Sequence, residues 1–211
     1  MSSIDRLKIP DSRLCTEVTN VVRAASPEHL FNHCLRSFDF ALLLGERRKE
    51  RPDLEVLYLG TIMHDMGLVE GLNEPKRFEV VGADLARDNL LERGFDERRA
   101  ETVWDLIALH TSVGIAEYKG VEVGLAHLGI TIDVIGLGLE HLSHEQVGAI
   151  LELAPRLSFT DDILDLVTEH IQANPHVSFF NWMDSVARHR LEHHASPNFV
   201  DMLHGNPLNE W

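Results

Sequence analysis

The chain has 211 residues, 44% of them hydrophobic, with 34 acidic against 19 basic side chains and a formal charge of −15. That supports a substantial core but argues against a Lys/Arg surface for a nucleic-acid backbone. No apolar run reaches the ~18 residues of a membrane span and no signal-like core opens the chain, so a cytoplasmic protein is expected, and Cys15 and Cys34 are too few for a disulfide framework.

A helix is predicted from about 27 to 50. Ser26 is its expected N-cap, Pro27 its first residue and Glu28 an acid in its first turn, while Arg47, Arg48 and Lys49 complement the dipole at the far end. Asp53 caps a second, almost wholly apolar helix, which should close near Gly67 through a left-handed glycine. A third helix spans about 78 to 93 and stops at Gly94. A fourth runs from Asp96 to about His110, where Ala100, Val103, Trp104 and Ile107 recur at helical spacing. The segment VGLAHLGITIDVIGLG, 123–138, is apolar with no decisive period; its helical neighbours favour a buried helix over a strand. Ser143 to Gln146 has the spacing of a capping box. Further helices are expected at about 160–174 and 180–194, and an irregular tail after Pro197. No repeat or long linker divides the chain, so the expected architecture is all-α, a single-domain helical bundle over residues 1–211.

His64 and Asp65 sit near the end of the apolar run LYLGTIMHDMG, where an ionised carboxylate is costly unless a positive charge compensates it. A metal ion is one such compensator. His33 is in register with Leu30, Phe40 and Ala41 on the inward face of the first helix. Asp133 interrupts the most apolar segment, and His110 ends the fourth helix. Converging, these residues make a nitrogen and oxygen ligand set suited to Zn²⁺, Mn²⁺, Fe²⁺ or Co²⁺ rather than a thiolate site. Taken singly, His33 reads as a core histidine and His110 as an imidazole favoured by a helix C-terminus. The other histidines read as surface residues, except His127, which stands roughly 240° around a helix from Asp133 and should miss its face.

The order His33, His64-Asp65, Asp133 resembles the HD superfamily of metal-dependent hydrolases over about residues 29 to 140. Longer strings are similar to cyanamide hydratase-like members: FNHCLRSF at 31–38, LGTIMHDMGL at 59–68, RFEVVGADLAR at 77–87 and ALHTSVGIA at 108–116. The resemblance implies a core motif at 29–140 followed by a helical C-terminal extension, 143–211. It implies one divalent metal, with Zn²⁺ the first choice, ligated by His33, His64, Asp65 and Asp133. The implied activity is that of a hydratase or hydrolase directing a metal-activated water at a cyanamide- or nitrile-like small molecule. Asp65 would also take the water proton, and His110 would hydrogen-bond the substrate or relay a proton. Lys76, Arg77, Glu79 and Thr111 are placed at the substrate entrance.

A phosphohydrolase is the alternative, with Arg36, Lys76 and Arg77 as possible cations. Leu68 stands where many such enzymes carry a lysine after the HD-x-G turn, which counts against it. A diiron oxygenase of the HD type needs two more histidines between Asp65 and Asp133, where the chain offers His110 and His127. A structural metal site in a helical interaction module is the non-enzymatic reading. The expected partner is a small molecule, not nucleic acid or membrane, and a homo-oligomer is compatible with the sequence.

Overall fold

Caps and close glycine contacts set the element boundaries in the computed structural model, which describes residues 9–69 and 74–210 and has no strand among them. Helix α1, Arg13–Ala25, begins where the Ser12 hydroxyl accepts the Cys15 amide, and it buries Cys15, Val18, Thr19 and Val22 along one stripe. The sequence reading did not anticipate it. Helix α2, Glu28–Arg48, starts from Pro27 without a side-chain cap. The expected N-cap, Ser26, instead closes α1 through its backbone amide to the Val22 carbonyl. Helix α3, Leu54–Met63, is capped by the Asp53 carboxylate, which accepts the amides of Glu55 and Val56, and it is buried continuously from Val56 to Met63.

Helix α3 ends at His64, short of Gly67, and a one-turn helix α4, Met66–Val69, follows. Gly67 is not the expected left-handed terminator. Its role is contact: an added Cβ would lie 2.0 Å from the Phe78 carbonyl oxygen and 2.8 Å from the Gly82 nitrogen. That seats α4 directly on the backbone of α5, Phe78–Glu92. Gly94, with φ of 76°, closes α5 as expected, and Asp96 caps α6, Glu97–Leu109, by accepting the Arg99 amide.

The undecided apolar segment is a helix, α7, Val121–Ile135. It crosses α2 at Gly129, where a Cβ would stand 2.3 Å from the Ser37 carbonyl oxygen and 2.7 Å from the Ala41 nitrogen. Ser37 is one turn beyond His33 and Gly129 one turn before Asp133, so this near-backbone contact brings those two side chains opposite each other. Helix α8, His144–Leu153, opens on the Ser143–Gln146 capping box, and α9, Phe159–Ala173, and α10, Met183–Arg190, complete the extension. The tail is less irregular than expected. Asn198 caps a short helix α11, Phe199–His204, and a 3-10 turn follows over Pro207–Glu210.

The main core is formed chiefly by α1, α2, α3, α5, α6 and α7, and includes Phe38, Leu57, Tyr58, Ile62, Leu106 and Leu125. A second cluster joins Leu68 and Phe78 to Val167, Ile171, Met183 and Ala187, docking α9 and α10 against α4 and the start of α5. Each fully buried Val, Leu, Ile, Phe or Met side chain among them contributes about 1.5–3 kcal/mol of burial free energy. Among the described residues, no helix is long and apolar enough to cross a membrane.

Candidate metal centre

Four helices deliver the site. His33 lies in the first half of α2, His64 caps α3, Asp65 occupies the turn before α4, and His110 caps α6; all four side chains are buried. In each histidine Nδ1 is committed elsewhere. His33 Nδ1 donates to Asp133 Oδ2 at 2.6 Å, His64 Nδ1 to the Thr61 carbonyl at 2.8 Å, and His110 Nδ1 to the Ile107 carbonyl at 2.6 Å. A donor at Nδ1 leaves Nε2 of a neutral ring as a bare acceptor, the arrangement by which outer partners orient metal-binding imidazoles.

His33 Nε2 and His64 Nε2 face each other at 3.1 Å, and Asp65 Oδ2 lies 3.5 Å from the first and 3.3 Å from the second. Three acceptors so close repel one another unless a cation lies among them. Tetrahedral ligands at about 2.0–2.1 Å from an ion stand roughly 3.3 Å apart, so the observed triangle fits a divalent metal. His33, His64 and Asp65 are the group of ligand atoms that converges in this way among the described residues. The electrostatics agree. Burial pulls the His64 pKa down, but the adjacent Asp65 carboxylate and the Cys34 sulfur together outweigh it and raise it well above the usual value, so the cluster favours one added positive charge. Burial pushes Asp65 up, and His64, His33 and His110 together hold it well below the usual carboxylate range.

Asp133, expected as a fourth ligand, is set one layer back, on the far side of the His33 ring. Both its oxygens are taken: Arg36 Nε and Nη2 donate to Oδ1 and Oδ2 at 2.7 and 2.8 Å, and Arg156 Nη1 donates to Oδ1 at 3.2 Å. Arg36 is fully buried and also donates to the Ala154 and Pro155 carbonyls, tying the α8–α9 junction to α2. Burial raises the Asp133 pKa, but the hydrogen bonds from His33 and Arg36 prevail and keep it well below the usual range. Its role here is to fix the His33 tautomer. Phe159 stacks on that ring with centroids 4.5 Å apart.

His110 Nε2 is 3.9 Å from Asp65 Oδ1, the oxygen turned away from the two ligand histidines. Burial, reinforced by the charge at His64, pushes its pKa down to about 4, so it is a neutral acceptor at working pH. His127 does not miss the site region, as its angle suggested. Helix α7 is buried nearly all round, and His127 lines the cavity with Nδ1 donating to the His110 carbonyl at 2.7 Å and Nε2 3.5 Å from Glu117 Oε1. His170, read as a surface residue, is fully buried.

The cluster forms the floor of a cavity of about 510 Å³. Of the residues placed at the substrate entrance, Thr111 lines the cavity and Lys76, Arg77 and Glu79 do not. Lys76 is half exposed and paired with Asp84 at 2.9 Å. Glu79 is fully buried behind the wall, where its carboxylate accepts from Arg77, from Thr111 Oγ1 at 2.7 Å and from Trp182 Nε1 at 3.4 Å. Arg36, offered as a phosphate cation, is spent on Asp133. Arg48 is the sole lysine or arginine among the described residues that line the cavity. Sequence reasoning missed the structural duty of Arg36 and Arg156; the available signal was Arg36 one turn after His33 on the same inward face.

An all-helical domain that converges two imidazoles and a carboxylate on the floor of a cavity has the form of a metal-dependent hydrolase. The HD domain model matches residues 30–135, half of the chain, and the protein belongs to the HD domain family. No curated protein matches it.

Proposed function

We propose that this chain adds water to a small uncharged molecule with an electrophilic carbon, of the cyanamide or nitrile type, at a zinc ion held by His33, His64 and Asp65. The observation that carries this reading is the cavity's charge: its floor holds the cluster, its walls are largely apolar, and Arg48 is the one lysine or arginine among its described lining residues. The ion would supply Lewis acidity and bring water ionisation toward neutral pH. Hydration changes no oxidation state, so a redox-inert metal suffices.

Asp65 Oδ1, turned toward His110, accepts the water proton as the carbon–oxygen bond forms. His110, neutral through burial, lines the cavity beside Asp65 and offers Nε2 as an acceptor to the amino N–H of a cyanamide or to the N–H that forms as a nitrile is hydrated. Asp133 and the Thr61 carbonyl keep the ligand rings aimed. The apolar walls exclude bulk water.

Phosphate-ester hydrolysis is the competing reading, and it calls for cations around the phosphoryl group. Arg36, Lys76 and Arg77 are engaged with Asp133, Asp84 and Glu79. The test is an assay of zinc-loaded protein with cyanamide, following urea, alongside nucleotides and phosphomonoesters, following phosphate, with Asp65→Ala as control. Urea formation lost in the variant supports the proposal; phosphate release without hydration overturns it.

A further inference from the structure

Resting on the hydration reading above, we infer that the substrate's electrophilic carbon is attached to a bulky, uncharged apolar group, a ring or branched chain, which the cavity encloses. Cyanamide itself has three heavy atoms. At about 30 Å³ each, the share of liquid volume a water takes, these fill on the order of 100 Å³ and leave most of the roughly 510 Å³ empty. The metal-binding group lies at the floor, and two apolar stripes at helical spacing line the rest: Leu128, Ile132 and Ile135 on α7, and Ile163, Leu164 and Val167 on α9. Few convergent polar groups in a mostly apolar enclosure are the mark of a site that binds a largely apolar ligand.

The rim points the same way. Ile135 is 71% exposed and Leu137 64% exposed, yet both line the cavity. An apolar substituent longer than the floor is deep would cover them. The carboxylates of Glu117 and Glu140 in the lining disfavour an anionic substituent. In the reaction, the water oxygen forms a σ and then a π bond to the nitrile carbon, both carbon–nitrogen π bonds are lost, and both water protons end on nitrogen. The product is the primary amide, or the substituted urea from a cyanamide.

The full-length zinc-loaded chain is to be assayed with cyanamide, acetonitrile, butyronitrile, hexanenitrile and benzonitrile, with binding of the same series measured by calorimetry. The expected result is a rise in kcat/KM and in affinity of about fourfold per added methylene until the cavity fills, from the burial of each group. Ile135→Asp, at an exposed position that leaves folding intact, should flatten that dependence. Hydration of cyanamide and acetonitrile at least as efficient as that of hexanenitrile and benzonitrile overturns the inference and leaves the hydration reading standing. Affinity that climbs with chain length while no member is hydrated supports the apolar occupant and ends the hydration reading. Sedimentation supplies a further check: a dimer that Ile135→Asp dissociates, with the chain-length dependence unchanged, assigns the rim to a second copy and overturns the inference.

Discussion

His33 Nδ1 donates to Asp133 Oδ2 at 2.6 Å across the crossing of α2 and α7, while the opposite edge of the same ring presents Nε2 to His64 at 3.1 Å. One imidazole thus connects a carboxylate locked by two arginines to the metal-binding cluster. Replacing Asp133 with Asn should leave Arg36 buried against an uncharged partner and lower stability by about 3–5 kcal/mol. It should weaken metal affinity by roughly 10–100-fold while one equivalent still binds at saturation. Elemental analysis and chelator competition check this against Asp65→Ala, which should retain no metal.

Metal should stabilise the fold measurably. Zinc at about a hundred times its Kd adds about 2.7 kcal/mol, which raises the melting midpoint by roughly 5–11 °C in a chain of this size. Calorimetry with and without a chelator reads the shift. His64→Ala should abolish it, because His64 contributes one of the three converging atoms.

Glu79 makes stability pH-dependent. Burial raises its pKa, but the hydrogen bond and charge of Arg77, with His110 and Thr111, bring it below its ordinary value near 4.5. The native state therefore binds fewer protons than the unfolded chain, so this stabilisation is present above about pH 4.5 and is lost as pH falls through the folded value. Glu79→Gln should be less stable than the parent at pH 7 by about 1–3 kcal/mol, with the difference shrinking toward pH 3. Urea midpoints across that range would show it.

The thiols should be silent in the native state. Cys15 and Cys34 are buried, and burial pushes the Cys15 thiol up to about 11. Ellman's reagent at pH 8 should label neither in the folded protein and both after denaturation.

Gly67→Ala should displace α4 from α5, since its Cβ would fall 2.0 Å from the Phe78 carbonyl oxygen. The expected loss is about 3 kcal/mol or more, with weaker metal retention because Asp65 lies two residues away. Urea unfolding and metal analysis test both effects.

Much of this was legible beforehand where one side chain settles a local question. Asp53, Asp96 and Ser143 announced their helices because a cap needs only its own turn. His33, His64 and Asp65 stood out as polar residues in apolar registers. Helix α1 was missed because its buried stripe is narrow and includes Cys15 and Thr19 among polar neighbours. The duty of Asp133 was hidden for another reason: its partners His33 and Arg36 are 100 and 97 residues away and meet it only through a helix crossing. His127 misled because an angular argument assumes one buried face, and α7 is covered on nearly all sides.

The crossing at Gly129 has a bearing on how this centre could be retuned. Position 129 works as a spacer of zero thickness: a methyl there must push α7 away from the Ser37 carbonyl, which a Cβ would approach to 2.3 Å. The jaws that close on His33 would then open at their root, with every ligand still in place. Metal affinity in this scaffold should therefore respond to a residue that never touches the ion, through the hydrogen bond by which Asp133 aims the His33 ring.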